Sequence, residues 1–275
     1  MTNPISRAAV FALGACLITA GCVTVPTAQE RRATADTQAS ARSWDSTTLH
    51  AGAFDLAAWL PRRIVHDEVL TIYIEGDGLA WLSSDMPSAD PTPVTPVGLQ
   101  LALAQPTGNV AYLARPCQYV TSDRCERRYW TNERFAPEIV AAENQAVDTL
   151  KRRFGAAKLT LVGYSGGAAV AALLAERRRD VVRLITVAGN LDHRAWTTHH
   201  RVTPLTGSLN PVDGKVGLAT IPQWHFVGER DKIVPPFLAQ EFSVGMPSAH
   251  VTVVEGYDHK CCWSENWKNL WKDIR

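Results

Sequence analysis

Lys158-Leu159-Thr160-Leu161-Val162-Gly163-Tyr164-Ser165-Gly166-Gly167-Ala168-Ala169-Val170-Ala171 is the stretch from which the fold is read. Its first five residues form a short apolar and β-branched run, the pattern of a buried strand. From Gly166 an Ala-rich segment runs on to Arg178 and reads as a helix. Between the two lies Gly-x-Ser-x-Gly. A strand that turns into a helix so abruptly leaves room only for small residues around the serine. Gly163, Gly166, Gly167 and Ala168 meet that demand. The Ser165 hydroxyl then projects from the turn beside a helix N-terminus, whose partial positive charge favours a developing anion. Strand, tight turn and helix in this order are the context of a nucleophile elbow.

Outward from the elbow, short apolar runs alternate with helical segments. Val69 to Ile74, Asn109 to Leu113, Val181 to Val187, Gln223 to Val227 and His250 to Val254 are brief and bounded by Gly, Pro or polar residues. Pro96 to Ala104, Pro137 to Phe154, Pro236 to Phe242 and Ser264 to Ile274 read as helices. Alternation of this kind predicts an α/β fold, a mostly parallel sheet with helices on both faces. Thr47 to Leu60 is expected to add one or two antiparallel edge strands. Ser83 to Pro96, rich in Pro, Ser and Asp, reads as a loop. Asn190 to Thr220 lacks clear periodicity and is expected to form a small lid or substrate-binding insert.

A serine hydroxyl is a weak nucleophile until a base takes its proton. Where the serine sits on a nucleophile elbow, the partners follow in the order serine, acid, histidine. The loop after Val227 offers Asp231, with Glu229 as the alternative. The loop after Val254 offers His259. The other histidines lie upstream of the elbow, in the insert before the acid, or inside strands. An anionic intermediate also needs two donors. One is the amide of Gly166. The other is expected from the loop Glu75-Gly76-Asp77-Gly78, through the backbone N–H of Asp77 rather than its carboxylate.

The 275 residues suit one large domain, and a 46% hydrophobic, 20% charged composition with net charge +1 excludes a nucleic-acid binder built on a basic face. The start of the chain differs in kind. A basic Met1 to Arg7, an apolar Ala8 to Ala20 and then Gly21-Cys22 have the order of a secretory signal. A small residue followed by cysteine resembles a lipoprotein signal, which implies lipid on Cys22 as the first mature residue. The expected organisation is a signal peptide over 1–21, a flexible tether over 22–43, and a folded domain over 44–275 with a lid at 190–220. The expected location is the bacterial cell envelope, anchored by lipid and facing the periplasm, with a soluble periplasmic or secreted protein as the alternative. Export permits disulfides among Cys117, Cys125, Cys261 and Cys262. At least one bridge is expected to join Cys117 or Cys125 to Cys261 or Cys262. Adjacent cysteines lie about 3.8 Å apart across a trans peptide, below the usual disulfide span.

These segments together resemble an α/β hydrolase from Glu75-Gly76-Asp77-Gly78 to Asp258-His259. More narrowly, Ala114-Arg115-Pro116-Cys117-Gln118-Tyr119, Tyr129-Trp130-Thr131 and His259-Lys260-Cys261-Cys262-Trp263 are similar to a group of largely uncharacterised bacterial envelope hydrolases. The resemblance implies a serine hydrolase of the α/β-hydrolase fold that transfers an acyl group to water. Its expected triad is Ser165, His259 and Asp231, acting on a small-molecule acyl substrate with no metal and no organic cofactor. A carboxylic ester is the leading substrate. A peptidase or thioesterase remains open, as does a non-catalytic envelope lipoprotein that binds a ligand. Many hydrolases of this fold carry His-Gly where Glu75-Gly76 stands, so substrate detail from those esterases does not transfer. Tyr164, Gly78 and Trp130 are candidates for the substrate pocket.

Overall fold

The computed structural model describes residues 25–65 and 67–274. The signal-peptide segment and Cys22 lie outside the described residues. Eight strands form one sheet: β1 Trp44–Ala51, β2 Phe54–Pro61, β3 Val69–Ile74, β4 Asn109–Leu113, β5 Lys158–Tyr164, β6 Val181–Val187, β7 Gln223–Gly228 and β8 Ala249–Val254. Their order is β1-β2-β4-β3-β5-β6-β7-β8. All neighbours from β4 to β8 pair in parallel, and β2 is antiparallel to both β1 and β4. β5, the strand of the elbow, is central and buried on both faces, which is why its sequence reads as a continuous apolar run.

The helices are α1 Ala28–Ser40, α2 Val97–Ala104, α3 Pro137–Phe154, α4 Gly166–Arg177, α5 His193–His200, α6 Lys215–Leu218, α7 Pro236–Ser243 and α8 Trp263–Leu270. Two cores lie on opposite faces of the sheet. One packs α3, α4 and Phe242 of α7 against Leu56, Ile72 and Leu161. The other packs α1, α2 and α8 against Trp59, Tyr73 and Phe226. Trp263 and Trp267 are fully buried in the second core, so the tryptophans at helical spacing mark the packed face of α8.

The tether expected over 22–43 is corrected: residues 28–40 are a helix docked on the domain. Thr27 caps it in a capping box with Glu30, and Ala35 and Ala39 are fully buried against the second core. The apolar stripe there is made of alanines, so hydropathy alone does not reveal it. Residues 190–220 hold α5, which follows the carboxyl end of β6, and then a short 3₁₀ turn at Pro211–Gly214 and α6, which lie beside Glu176 near the end of α4 and lead into β7.

The cysteine pairing is also corrected. Cys117 joins Cys125, with Cα atoms 5.6 Å apart, and Cys261 joins Cys262. The cause lies in the strand order. The strand before Cys117 and the strand before Cys261 are five steps apart in the sheet, roughly 24 Å at the usual strand spacing.

Candidate active site

The elbow is as tight as its glycines require. Ser165 sits at φ 52°, ψ −120°, a region that an L-residue occupies only when its surroundings hold it there. Its N–H donates to the Val187 carbonyl at 2.9 Å, and its carbonyl accepts from Asn190 N–H at 3.1 Å. A side chain at Gly163 would strike the backbone of Ala168, and one at Gly167 would strike the carbonyls of Ile74 and Glu75. The close crossing of α4 over β3 and β5 therefore depends on those glycines.

Three loops at the carboxyl edge of the sheet bring the expected triad together. His259 Nε2 lies 3.0 Å from Ser165 Oγ, and its Nδ1 lies 2.8 Å from Asp231 Oδ2. In the tautomer that serves both contacts, Ser165 Oγ–H donates to Nε2 and Nδ1–H donates to the carboxylate. The Asp231 side chain is fully buried. Its other oxygen accepts from the N–H groups of Ile233 and Val234, both at 2.8 Å. Glu229 instead accepts from Gly256 N–H at the surface. The His259 carbonyl accepts from Tyr164 Oη–H at 3.0 Å and Trp263 Nε1–H at 3.1 Å, and the Tyr164 ring stands beside the imidazole. Tyr164 thus anchors the histidine loop while lining the cavity. Burial pushes its phenol above the ordinary range, so it stays protonated and able to donate.

The amides of Gly166 and Asp77 donate to no protein acceptor among the described residues. Gln118 Nε2 donates to the Gly76 carbonyl at 2.9 Å. That carbonyl shares a peptide with the Asp77 N–H, so Gln118 fixes the direction of the amide on the opposite side. Glu75 is buried and braces the same loop. It accepts from Gly76 N–H at 2.9 Å, Gly98 N–H at the start of α2 and Tyr112 Oη–H at 3.0 Å. Burial raises its carboxyl, opposed by those bonds.

The Asp77 carboxylate, given no part by the sequence, is held by two arginines. Arg134 donates to it at 2.6 Å and Arg115 at 3.4 Å. Arg115 also donates to Glu143 at 3.1 Å. Burial pushes Glu143 up to about 8, against the pull of Arg115. Arg115 lies in a quoted motif, but its role depends on partners 28 and 38 residues away. Arg134 carries no local signal at all.

A cavity of about 420 Å³ opens over Ser165 and His259, with Leu79, Trp81, Val94 and Trp196 among its walls. Tyr164 and Gly78 line it as the sequence suggests. Trp130 does not: it is buried, and its Nε1–H donates to the Ser88 carbonyl at 3.1 Å, pinning the loop that forms the cavity rim. Asn190 and Trp196 bring the insert to the cavity wall. A larger hollow of about 700 Å³ lies between α3 and the end of α4, remote from the triad. Arg178 on its wall is already paired with Asp148 and Asp180.

No protein-family model matches the sequence, and no curated protein matches it. Solved structures do. An α/β serine hydrolase homologue from Coxiella burnetii is 15% identical with a TM-score of 0.58, covering 84% of this chain and 95% of that one. An esterase from Butyrivibrio proteoclasticus is 15% identical with a TM-score of 0.60, covering 83% and 96%. An esterase from Pyrococcus furiosus is likewise 15% identical with a TM-score of 0.60, covering 86% and 93%. Sheet order, elbow and these likenesses agree: the chain has the α/β-hydrolase fold.

Proposed function

We propose that this protein is a serine hydrolase that cleaves carboxylic esters through Ser165, His259 and Asp231. The observation that carries the reading is the continuous relay from the buried Asp231 carboxylate through His259 to Ser165 Oγ at the floor of a cavity. Ser165 attacks the acyl carbon while His259 Nε2 takes its proton. Asp231 holds the imidazole and stabilises its charged form. The amides of Gly166 and Asp77 receive the negative charge on the carbonyl oxygen. His259 then protonates the leaving alcohol, and water attacks the acyl-enzyme by the same route. The apolar walls of Leu79, Trp81 and Val94 suit an acyl chain.

Matched ester, thioester and anilide substrates with one acyl chain test this reading. Higher kcat/KM on the ester supports it, and preference for the anilide or thioester makes the enzyme a peptidase or thioesterase instead. We further propose that Cys22 carries lipid and holds the enzyme in the bacterial envelope, facing the periplasm. Wild-type protein should then stay with membranes through an alkaline wash that releases a Cys22→Ser variant. Release of both chains would favour a soluble periplasmic or secreted protein.

A further inference from the structure

The loop between β3 and α2 forms one wall of the cavity. Trp81 bridges to Pro87, and Leu82 N–H donates to the Met86 carbonyl at 2.8 Å, making a short closed finger. Trp81, Leu82 and Met86 are 39–55% exposed on it, and Ile233 is 52% exposed on the loop after β7. Among the described residues, the other large exposed apolar side chains are all valines. Every one larger than valine therefore stands around this one opening, and Trp81 and Ile233 also line it. Chance scatter of surface hydrophobes does not look like this; a concentrated patch marks a contact surface.

The path of the chain indicates what covers it. β2 runs antiparallel to β4, so it descends from the active-site edge, and β1 climbs back. Helix α1 precedes β1 and so ends at the far edge. Its 13 residues span about 20 Å, which returns its N-terminus to the active-site edge. Buried Arg31 fixes it there, donating to the carbonyls of Asp90 and Thr92 and pairing with the Asp90 carboxylate at 3.4 Å. Pro93 and Val94, the next residues, line the cavity. The head of α1 thus stands close to the cavity rim. Cys22, the proposed lipid site, is five residues before Thr27 in the sequence. Lys232 and Lys260 are exposed on the opposite side of the opening, where an adjoining hollow also holds Arg230 and Asp258. Apolar side chains flanked by lysines suit the boundary between acyl chains and lipid headgroups.

From this arrangement we infer that the rim of the cavity docks on a phospholipid bilayer and that the substrate is a lipid acyl ester drawn from its surface. The substrate half rests on the hydrolase reading above; the docking half does not. A Cys22→Ser chain made without residues 1–21, so free of both the apolar leader and any lipid of its own, should co-sediment with vesicles of phosphatidylethanolamine and phosphatidylglycerol. Adding Leu82→Asp and Met86→Asp should weaken that binding at least tenfold, since two apolar side chains lose their burial. Neither residue lines the cavity, so hydrolysis of a dissolved short-chain ester should stay within about twofold of the parent. Failure of the Cys22→Ser chain to co-sediment, or equal binding by both chains, would overturn the docking and leave the patch to a protein partner. Vesicle binding with no hydrolysis of lipid esters held in those vesicles would overturn the substrate half alone.

Discussion

The carboxylate of Asp77 lies directly on the Cα of Gly166, so that any side chain at Gly166 would occupy the space of the carboxyl group. The two residues whose amides face the proposed oxyanion are therefore packed against each other, and Arg115 and Arg134 hold the outer one in place. Asp77→Ala keeps the amide but releases the loop and leaves two buried arginines short of a partner. Its kcat should fall at least tenfold with little change in KM, and Asp77→Asn should recover part of the loss. Gly166→Ala should cost about 10²-fold in kcat, the scale of losing one oxyanion donor. Steady-state kinetics on a short-chain aryl ester measures all three, and near-parental kcat in Asp77→Ala would show that the carboxylate does not position the loop.

Asp231 and Glu229 separate cleanly in position. Asp231 is buried and bonded to His259, whereas Glu229 meets the Gly256 amide at the surface. Asp231→Asn should lower kcat about 10⁴-fold, as removal of the triad acid does elsewhere. Glu229→Gln should stay within a few-fold. A reversed pair of rates in the same assay would move the acid to Glu229.

The elbow was legible because its constraints are local: Gly163, Gly166 and Gly167 sit beside the serine they make room for. Asp231 and His259 were legible because strand ends of this fold appear in a fixed order. The clamp on Asp77 was not, since Arg115, Arg134 and Glu143 meet only through the tertiary fold and follow no spacing. Helix α1 was missed for a different reason. Its buried face is Ala35 and Ala39, which barely register as hydrophobic. The cysteine pairing depends on strand order, which puts five strand steps between the strands before Cys117 and Cys261, and no local signal around the cysteines carries that order.

His225 should make the fold sensitive to acid. It is fully buried on β7, with Nδ1 at 2.8 Å from Thr186 Oγ1, and burial lowers its pKa from 6.5 to about 3. Above about 6.5 the imidazole is neutral in both folded and unfolded chains. As the pH falls from there toward about 3, the unfolded chain takes up a proton that the folded chain refuses, so stability drops. Melting curves between about pH 7 and about pH 5 should show a shallower acid decline for His225→Gln than for the parent. Equal declines would remove His225 as a source.

The Cys117–Cys125 link closes the loop that carries Gln118, whose side chain fixes the Gly76 carbonyl. Replacing both cysteines with serine should cost about 2–3 kcal/mol, the chain-entropy value for so short a loop. It should also lower kcat as Gln118 loosens. Peptide mapping of the unreduced protein should recover Cys117 joined to Cys125; a link from either one to Cys261 or Cys262 would contradict the pairing.

The central claim is that Ser165 is an activated nucleophile. Treatment of the full-length protein with a fluorophosphonate, followed by digestion and mass spectrometry, tests it most directly. One adduct on Ser165 is expected, absent from Ser165→Ala and strongly reduced in His259→Ala, with all three proteins showing the same circular dichroism. Labelling that persists in folded Ser165→Ala, or a folded wild-type protein that takes up no label, would contradict it.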